Sequence, residues 1–254
     1  MTFFAHKTYL VTGAGGGIGS AVALALGQAG ATVVLLGRSL PALEKTYDAI
    51  IAAGGPEPAL FPMDFSTAVD DQYDDLAAAI RVRLGRLDGI IHAASAYLAP
   101  SPLLQQTSAE WLEQFRVNSV APFLLNQACA PVLRRADDAP IVLIGETHGA
   151  HPAAFWGGFA VSKAALESYF QIQAAEWRDE PALRIHLIVP GPIRSPQRAL
   201  SHPGEDKTTL PTPADLARDI LTLLERPDPA WRGQRLNWRP GQLSANPFAP
   251  TIGL

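Results

Sequence analysis

The sequence predicts an α/β fold, a doubly wound parallel sheet of about seven strands with helices on both faces, built as one domain over residues 1–254. Three observations predict it. Short apolar, β-branched runs alternate with amphipathic stretches along the whole chain. A glycine-rich turn, T-G-A-G-G-G-I-G at 12–19, joins the first such run to the first amphipathic stretch. The chain of 254 residues, 48 % of them hydrophobic, is long enough for one large core.

The first strand, Tyr9–Val11, ends at Thr12. Ile18, Val22, Leu26 and Ala29 then share a face at helical spacing. Glycines at 13, 15, 17 and 19 remove side chains that would keep a backbone from a pyrophosphate. The helix opening near Ile18 offers unpaired N–H groups and a partial positive charge. An ordinary tight turn is the rival reading; the correct flanking strand and helix favour nucleotide binding. No Asp, Glu, Lys or Arg lies between Lys7 and Arg38, yet eight glycines interrupt that stretch. It reads as a buried β-α-β unit and not as a membrane span.

Thr32–Leu36 is a second strand, apolar throughout as a parallel strand covered on both faces should be. It ends in Gly37-Arg38-Ser39. A carboxylate there would hold the ribose 2′-hydroxyl of NAD, whereas an Arg suits a 2′-phosphate, so NADP(H) is favoured. Pro41 starts the next helix. Strand Ala59–Met63 leads to Asp64, which either caps the following helix or accepts a bond from an adenine amino group. A helix over about 72–84 comes next. Strand Gly89–Ala93 carries His92 and Ala93 at its C-terminal end, where ligands of open α/β sheets sit. A single helix is expected from about 108 to 134, with Pro122 inside it leaving the Asn118 carbonyl free. Strand Pro140–Ile144, an irregular segment 145–156, a helix Phe159–Trp177 and strand Arg184–Val189 follow. The prolines and glycine between 194 and 212 predict a flexible flap without regular structure. A helix from Pro213 and a short strand Gln234–Asn237 complete the fold.

The net charge of −4 and the absence of a basic cluster exclude nucleic acid as the expected partner. One cysteine, Cys129, excludes a disulfide framework and a cysteine-based zinc site, and no metal site is expected. The N-terminus lacks the pattern of a secretory signal, so a cytoplasmic location is expected.

The 12–19 motif, Asp64, H-A-A-S at 92–95, Asn118, Lys163 and P-G-P-I at 190–193 occur in the order and spacing of the short-chain dehydrogenases/reductases of classical type. W-G-G-F-A-V-S-K at 156–163, with P-G-P-I-R-S after it, resembles the bacterial YciK-like subgroup. The resemblance implies a Rossmann-type fold and an NAD(P)-dependent oxidoreductase acting on alcohols and carbonyls. It implies cofactor contacts at Gly13, Gly15, Gly17, Ile18, Gly19, Arg38, Asp64, His92, Ala93, Lys163, Pro190, Gly191, Ile193 and Ser195. In that family a Tyr exchanges a proton with the substrate oxygen, and a Lys four residues on binds ribose and lowers the phenol's pKa. A Ser thirteen residues before the Tyr holds the substrate oxygen, and an Asn holds a relay water.

Here Lys163 and Asn118 are present, Phe159 takes the Tyr position and Glu146 the Ser position. Phenylalanine has no proton to give. General acid–base help is worth about two to four powers of ten, so the usual chemistry is expected to be lost or very slow. Glu146, His148 and His151 are the possible substitutes. Salt-bridge or capping duty for Glu146, and surface loop positions for the histidines, are the plainer readings. Tyr97 and Tyr169 read as packing residues. The choice is between an altered oxidoreductase and a cofactor-binding protein without turnover, acting as a sensor or partner subunit. Surplus apolar residues on the 159–177 helix, with the family's usual contact through it and the 108–134 helix, imply a homodimer or homotetramer.

Overall fold

The computed structural model describes residues 3–245. Eight strands form one sheet: β1 (Thr8–Thr12), β2 (Thr32–Gly37), β3 (Ala59–Pro62), β4 (Gly89–His92), β5 (Ala139–Ile144), β6 (Leu183–Val189), β7 (Arg235–Arg239) and β8 (Gln242–Ala245). Their order is β3-β2-β1-β4-β5-β6-β7-β8. The first seven run parallel and β8 turns back antiparallel on β7. The fold is Rossmann-like, and its strand order reverses between β1 and β4, where a crevice opens at the C-terminal strand ends.

The helices are α1 (Gly17–Gln28), α2 (Leu40–Ala52), α3 (Asp70–Arg83), α4 (Ser108–Phe115), α5 (Ala121–Leu133), α6 (Thr147–Ala150), α7 (Gly157–Glu176), α8 (Pro196–Ser201) and α9 (Pro213–Glu225). They divide between the two faces. α1, α2 and α9 cover one core, into which Val11, Val33, Leu35, Ile91, Val142 and Ile188 point. α3, α5 and α7 cover the other, built on Leu10, Val34, Leu36, Ile90, Ile141 and Leu187. Alternation along each strand feeds both cores, which is why every residue of β1, β5 and β6 is buried.

Three expectations need correction. The sheet has eight strands, because Pro240-Gly241 forms a tight turn (Gly241 φ +75°) that pairs Arg239 with Gln242. The 108–134 stretch is two helices joined by a π-helical turn, Arg116–Val120, and Pro122 sits in the first turn of α5. The wider turn places the proline where its missing N–H is harmless. The 194–212 segment is not irregular: Ser195 caps α8 by accepting from the Arg198 N–H at 3.1 Å, and Pro196 opens that helix. Arg194 ties the segment's ends, its N–H meeting the Pro211 carbonyl at 2.9 Å and its Nε the Lys207 carbonyl at 3.1 Å.

Candidate active site

The glycine turn is built so tightly that no other residues fit it. Gly13 has φ +64°, and a Cβ there would lie 2.8 Å from the Ala94 backbone. A Cβ on Gly19 would lie 2.2 Å from the Gly13 carbonyl oxygen. The turn is pinned from three sides. Ala14 N–H donates to the Leu36 carbonyl at 3.2 Å, the Thr46 hydroxyl to the Ala14 carbonyl at 2.8 Å, and Ala94 N–H to the Thr12 hydroxyl at 3.1 Å. α1 then starts at Gly17 with no side-chain cap and no acidic residue in its first turn. Its first N–H groups and dipole are therefore left for an anion. Ser195, Pro196 and Pro213 stand 3.6–3.9 Å from where a Gly17 Cβ would be, so the segment after Pro190-Gly191 overhangs the turn. This cradle fits a dinucleotide pyrophosphate, with the N–H groups of residues 17–19 holding it and Ile193 and Ser195 bordering it.

Arg38 is exposed at the end of β2, beside the end of β3. Asp64 is exposed next to it. Its Oδ1 accepts from Ser66 N–H at 2.9 Å and Ser66 Oγ at 2.7 Å. Those bonds, then the Arg38 charge, hold the Asp64 carboxyl below the usual carboxylate range. Asp64 therefore closes its own turn and does not cap α3, which begins at Asp70. His92 ends β4 with its side chain in the core, Nε2 2.8 Å from Asn126 Oδ1; only its backbone and that of Ala93 face the crevice end.

Lys163 lies on α7 with its amine buried, donating to the Ile144 carbonyl at 3.0 Å. Burial lowers its pKa to about 8, against a raising influence from Glu146. The Nζ stands 5.9 Å from the Phe159 ring centre. Phe159 is itself only 2 % exposed, covered by Tyr97 and Trp156. Glu146 makes no ion pair with Lys163 among the described residues. It caps α6 and takes His148 Nδ1 at 2.9 Å. His148 is not a free surface residue: its ring stacks on Trp156 at 3.6 Å, whereas His151 is exposed.

Asn118 is buried in the π-helical turn. Its Oδ1 accepts from Ala96 N–H at 2.8 Å, and its Nδ2 donates to the Ala96 carbonyl at 2.9 Å and to Ser162 Oγ at 2.9 Å. Its side chain is thus a clamp on the loop after β4. The structure brings Lys163, Phe159, Glu146 and Asn118 to one end of the sheet, as their spacing predicts. Sequence reasoning missed Tyr97 and Trp156 as neighbours of Phe159. Only the fold brings the loop after β4 over the start of α7.

Residues 7–206 match the family model of the short chain dehydrogenases, and the chain belongs to that family. It is 35 % identical to the oxidoreductase YciK of Escherichia coli K12 over 236 residues, 93 % of each chain. Among solved structures it resembles a short chain dehydrogenase of Shigella flexneri 2a complexed with NADP, at TM-score 0.88 and 33 % identity, covering 93 % of this chain and 98 % of that one. A short chain dehydrogenase of Escherichia coli CFT073 complexed with NADPH gives the same TM-score, 0.88, the same 33 % identity and the same coverage, 93 % and 98 %. Among the described residues no helix is long and apolar enough to cross a membrane, and no cluster of side chains suits a metal ion.

Proposed function

We propose that the chain is an NADP(H)-dependent oxidoreductase of small carbonyl or alcohol compounds in the cytoplasm, whose proton-transfer step does not use the family tyrosine. The observation that carries it is the glycine cradle with the Lys163 amine and Arg38 placed around one crevice, while position 159 holds a ring without a hydroxyl. NADP and NADPH in the two structural relatives support the choice of cofactor. When bound, the dihydronicotinamide supplies a hydride. This chain's residues do the rest. Residues 17–19 bind the pyrophosphate through backbone N–H groups, and Arg38 faces the 2′-phosphate. Lys163, held by Ile144, presents an ammonium to the nicotinamide ribose. Asn118 fixes the loop that borders the substrate.

A second reading, a cofactor-binding protein without turnover, is favoured by the burial of Phe159 and by the engagement of Glu146 with His148. A panel of aldehydes, ketones and quinones with NADPH separates the two. Slow NADPH oxidation is expected from the natural protein. Phe159→Tyr combined with Glu146→Ser, which restores the family's pair beside Lys163, is expected to raise the rate by about ten- to a hundredfold. No oxidation by either protein would leave only the second reading.

The homo-oligomer belongs to the same proposal. Val161, Ser168 and Ile172 form an exposed stripe on α7, with Leu112 on α4 and Phe123 on α5 also exposed. A dimer or tetramer through these helices would cover them. Light scattering at micromolar concentration would show a multiple of 27.1 kDa, and a mass of one chain would count against it.

A further inference from the structure

Tyr97 stands against the residue that took the tyrosine's place. Its ring meets Phe159 edge-on, with centroids 4.9 Å apart and planes at 82°, and tilts against Trp156 at 5.8 Å. The loop cannot easily carry it elsewhere, because Asn118 grips both backbone groups of the preceding residue, Ala96. The ring is half-buried, yet its hydroxyl oxygen is shielded from solvent and has no hydrogen-bond partner. Ser201 of α8 is near enough to perturb the phenol but lies outside hydrogen-bond geometry, its own hydroxyl donating to the Arg198 carbonyl at 3.3 Å. The charges of Glu146 and Arg198 also face it. A buried hydroxyl without an acceptor is costly and needs an explanation. At this place a substrate oxygen supplies one.

We propose that Tyr97 carries the phenol that position 159 lacks and donates a proton to the oxygen of a carbonyl substrate bound between the start of α7 and α8. The proposal rests on the oxidoreductase reading, with NADPH as reductant. The carbonyl carbon takes a hydride from the dihydronicotinamide, and the C=O pair moves onto oxygen. The Tyr97 O–H bond breaks, and its proton joins that oxygen. The products are the alcohol, NADP⁺ and a tyrosinate that recovers its proton from water. Burial raises the phenol's pKa, so the group is protonated and ready at neutral pH. Lys163 sits under Phe159 and not under Tyr97, so the step lacks the tuning of the family pattern and is slow.

The test is Tyr97→Phe in the full-length chain, with phenanthrenequinone as the reporter carbonyl. NADPH affinity, read by nicotinamide fluorescence, should stay within about twofold. The kcat for quinone reduction should fall by about a hundredfold with KM little changed. The natural protein's loss of kcat at alkaline pH should vanish in the variant. The free variant should melt no lower than the natural protein, since the removed oxygen has no partner. Retained kcat would overturn the proposal. So would a lower melting temperature, which would make the hydroxyl a structural bond, or a natural protein that binds NADPH and never reduces the quinone. Failure to bind NADPH at all would instead remove the oxidoreductase reading and this proposal with it.

Discussion

Gly19→Ala is expected to lose NADPH binding by at least about a hundredfold and to destabilise the fold by about 2–4 kcal/mol. The added methyl would lie 2.2 Å from the Gly13 carbonyl oxygen and 3.1 Å from Ala14 N. Both are backbone atoms that cannot rotate away. Gly13 cannot retreat either, because its own site is 2.8 Å from Ala94 and it holds a left-handed φ. The strain therefore spreads to the first N–H groups of α1, the ones that would meet a phosphate. Gly204→Ala is the control: its Cβ would meet nothing within 4 Å, and neither binding nor melting should change. Fluorescence titration and urea unfolding read the two effects separately. Unchanged affinity in Gly19→Ala would mean that the turn does not seat the cofactor.

Acid should destabilise the protein strongly between pH 6.5 and pH 4. His92 and His186 are both buried, and burial lowers each pKa to about 4. His92 donates its Nε2 proton to Asn126, whose amide is fixed by Tyr169 and Gln173. His186 donates Nδ1–H to the Trp231 carbonyl at 3.0 Å and faces the Arg184 guanidinium through Nε2 at 3.1 Å. Neither ring has room for a second proton. The unfolded chain takes up those protons near pH 6.5, so stability is full above that value and is lost as pH falls through the folded pKa. Each group is worth about 3 kcal/mol across the window, and the two together about 4 kcal/mol between pH 7 and pH 5. That is a large part of an ordinary domain's stability. Urea unfolding at pH 7, 6 and 5 measures it, and His92→Gln should flatten the slope by about half. A flat profile for the natural protein would show that these imidazoles do not resist protonation.

The nucleotide-facing half of the site was legible in the sequence because its constraints are local. Gly13 and Gly19 must lack side chains to make one turn, and Arg38 follows directly from the end of β2. Lys163 and Phe159 share a helix face at four-residue spacing. The eighth strand and α8 also had local signals, Pro240-Gly241 for a hairpin turn and Ser195-Pro196 for a helix start. Proline content alone made the first look like an ending and the second like a loop. His92 could not be placed from its strand, since its direction depends on Asn126 across the core. Tyr97 was hidden for the same reason. Its position is set by Asn118 reaching back to Ala96 and by the packing of two aromatic rings from α7 and the segment before it, none of which leaves a periodic trace.

The account stands on a cofactor seat that reads a 2′-phosphate. Its most direct test is a paired titration of the natural protein with NADPH and NADH, repeated on Arg38→Leu. NADPH should bind at least about tenfold more tightly than NADH, a difference the charge-assisted contact of one Arg can supply. The variant should lose that preference while keeping its affinity for NADH. Equal affinities in the natural protein, or a preference untouched by Arg38→Leu, would contradict it.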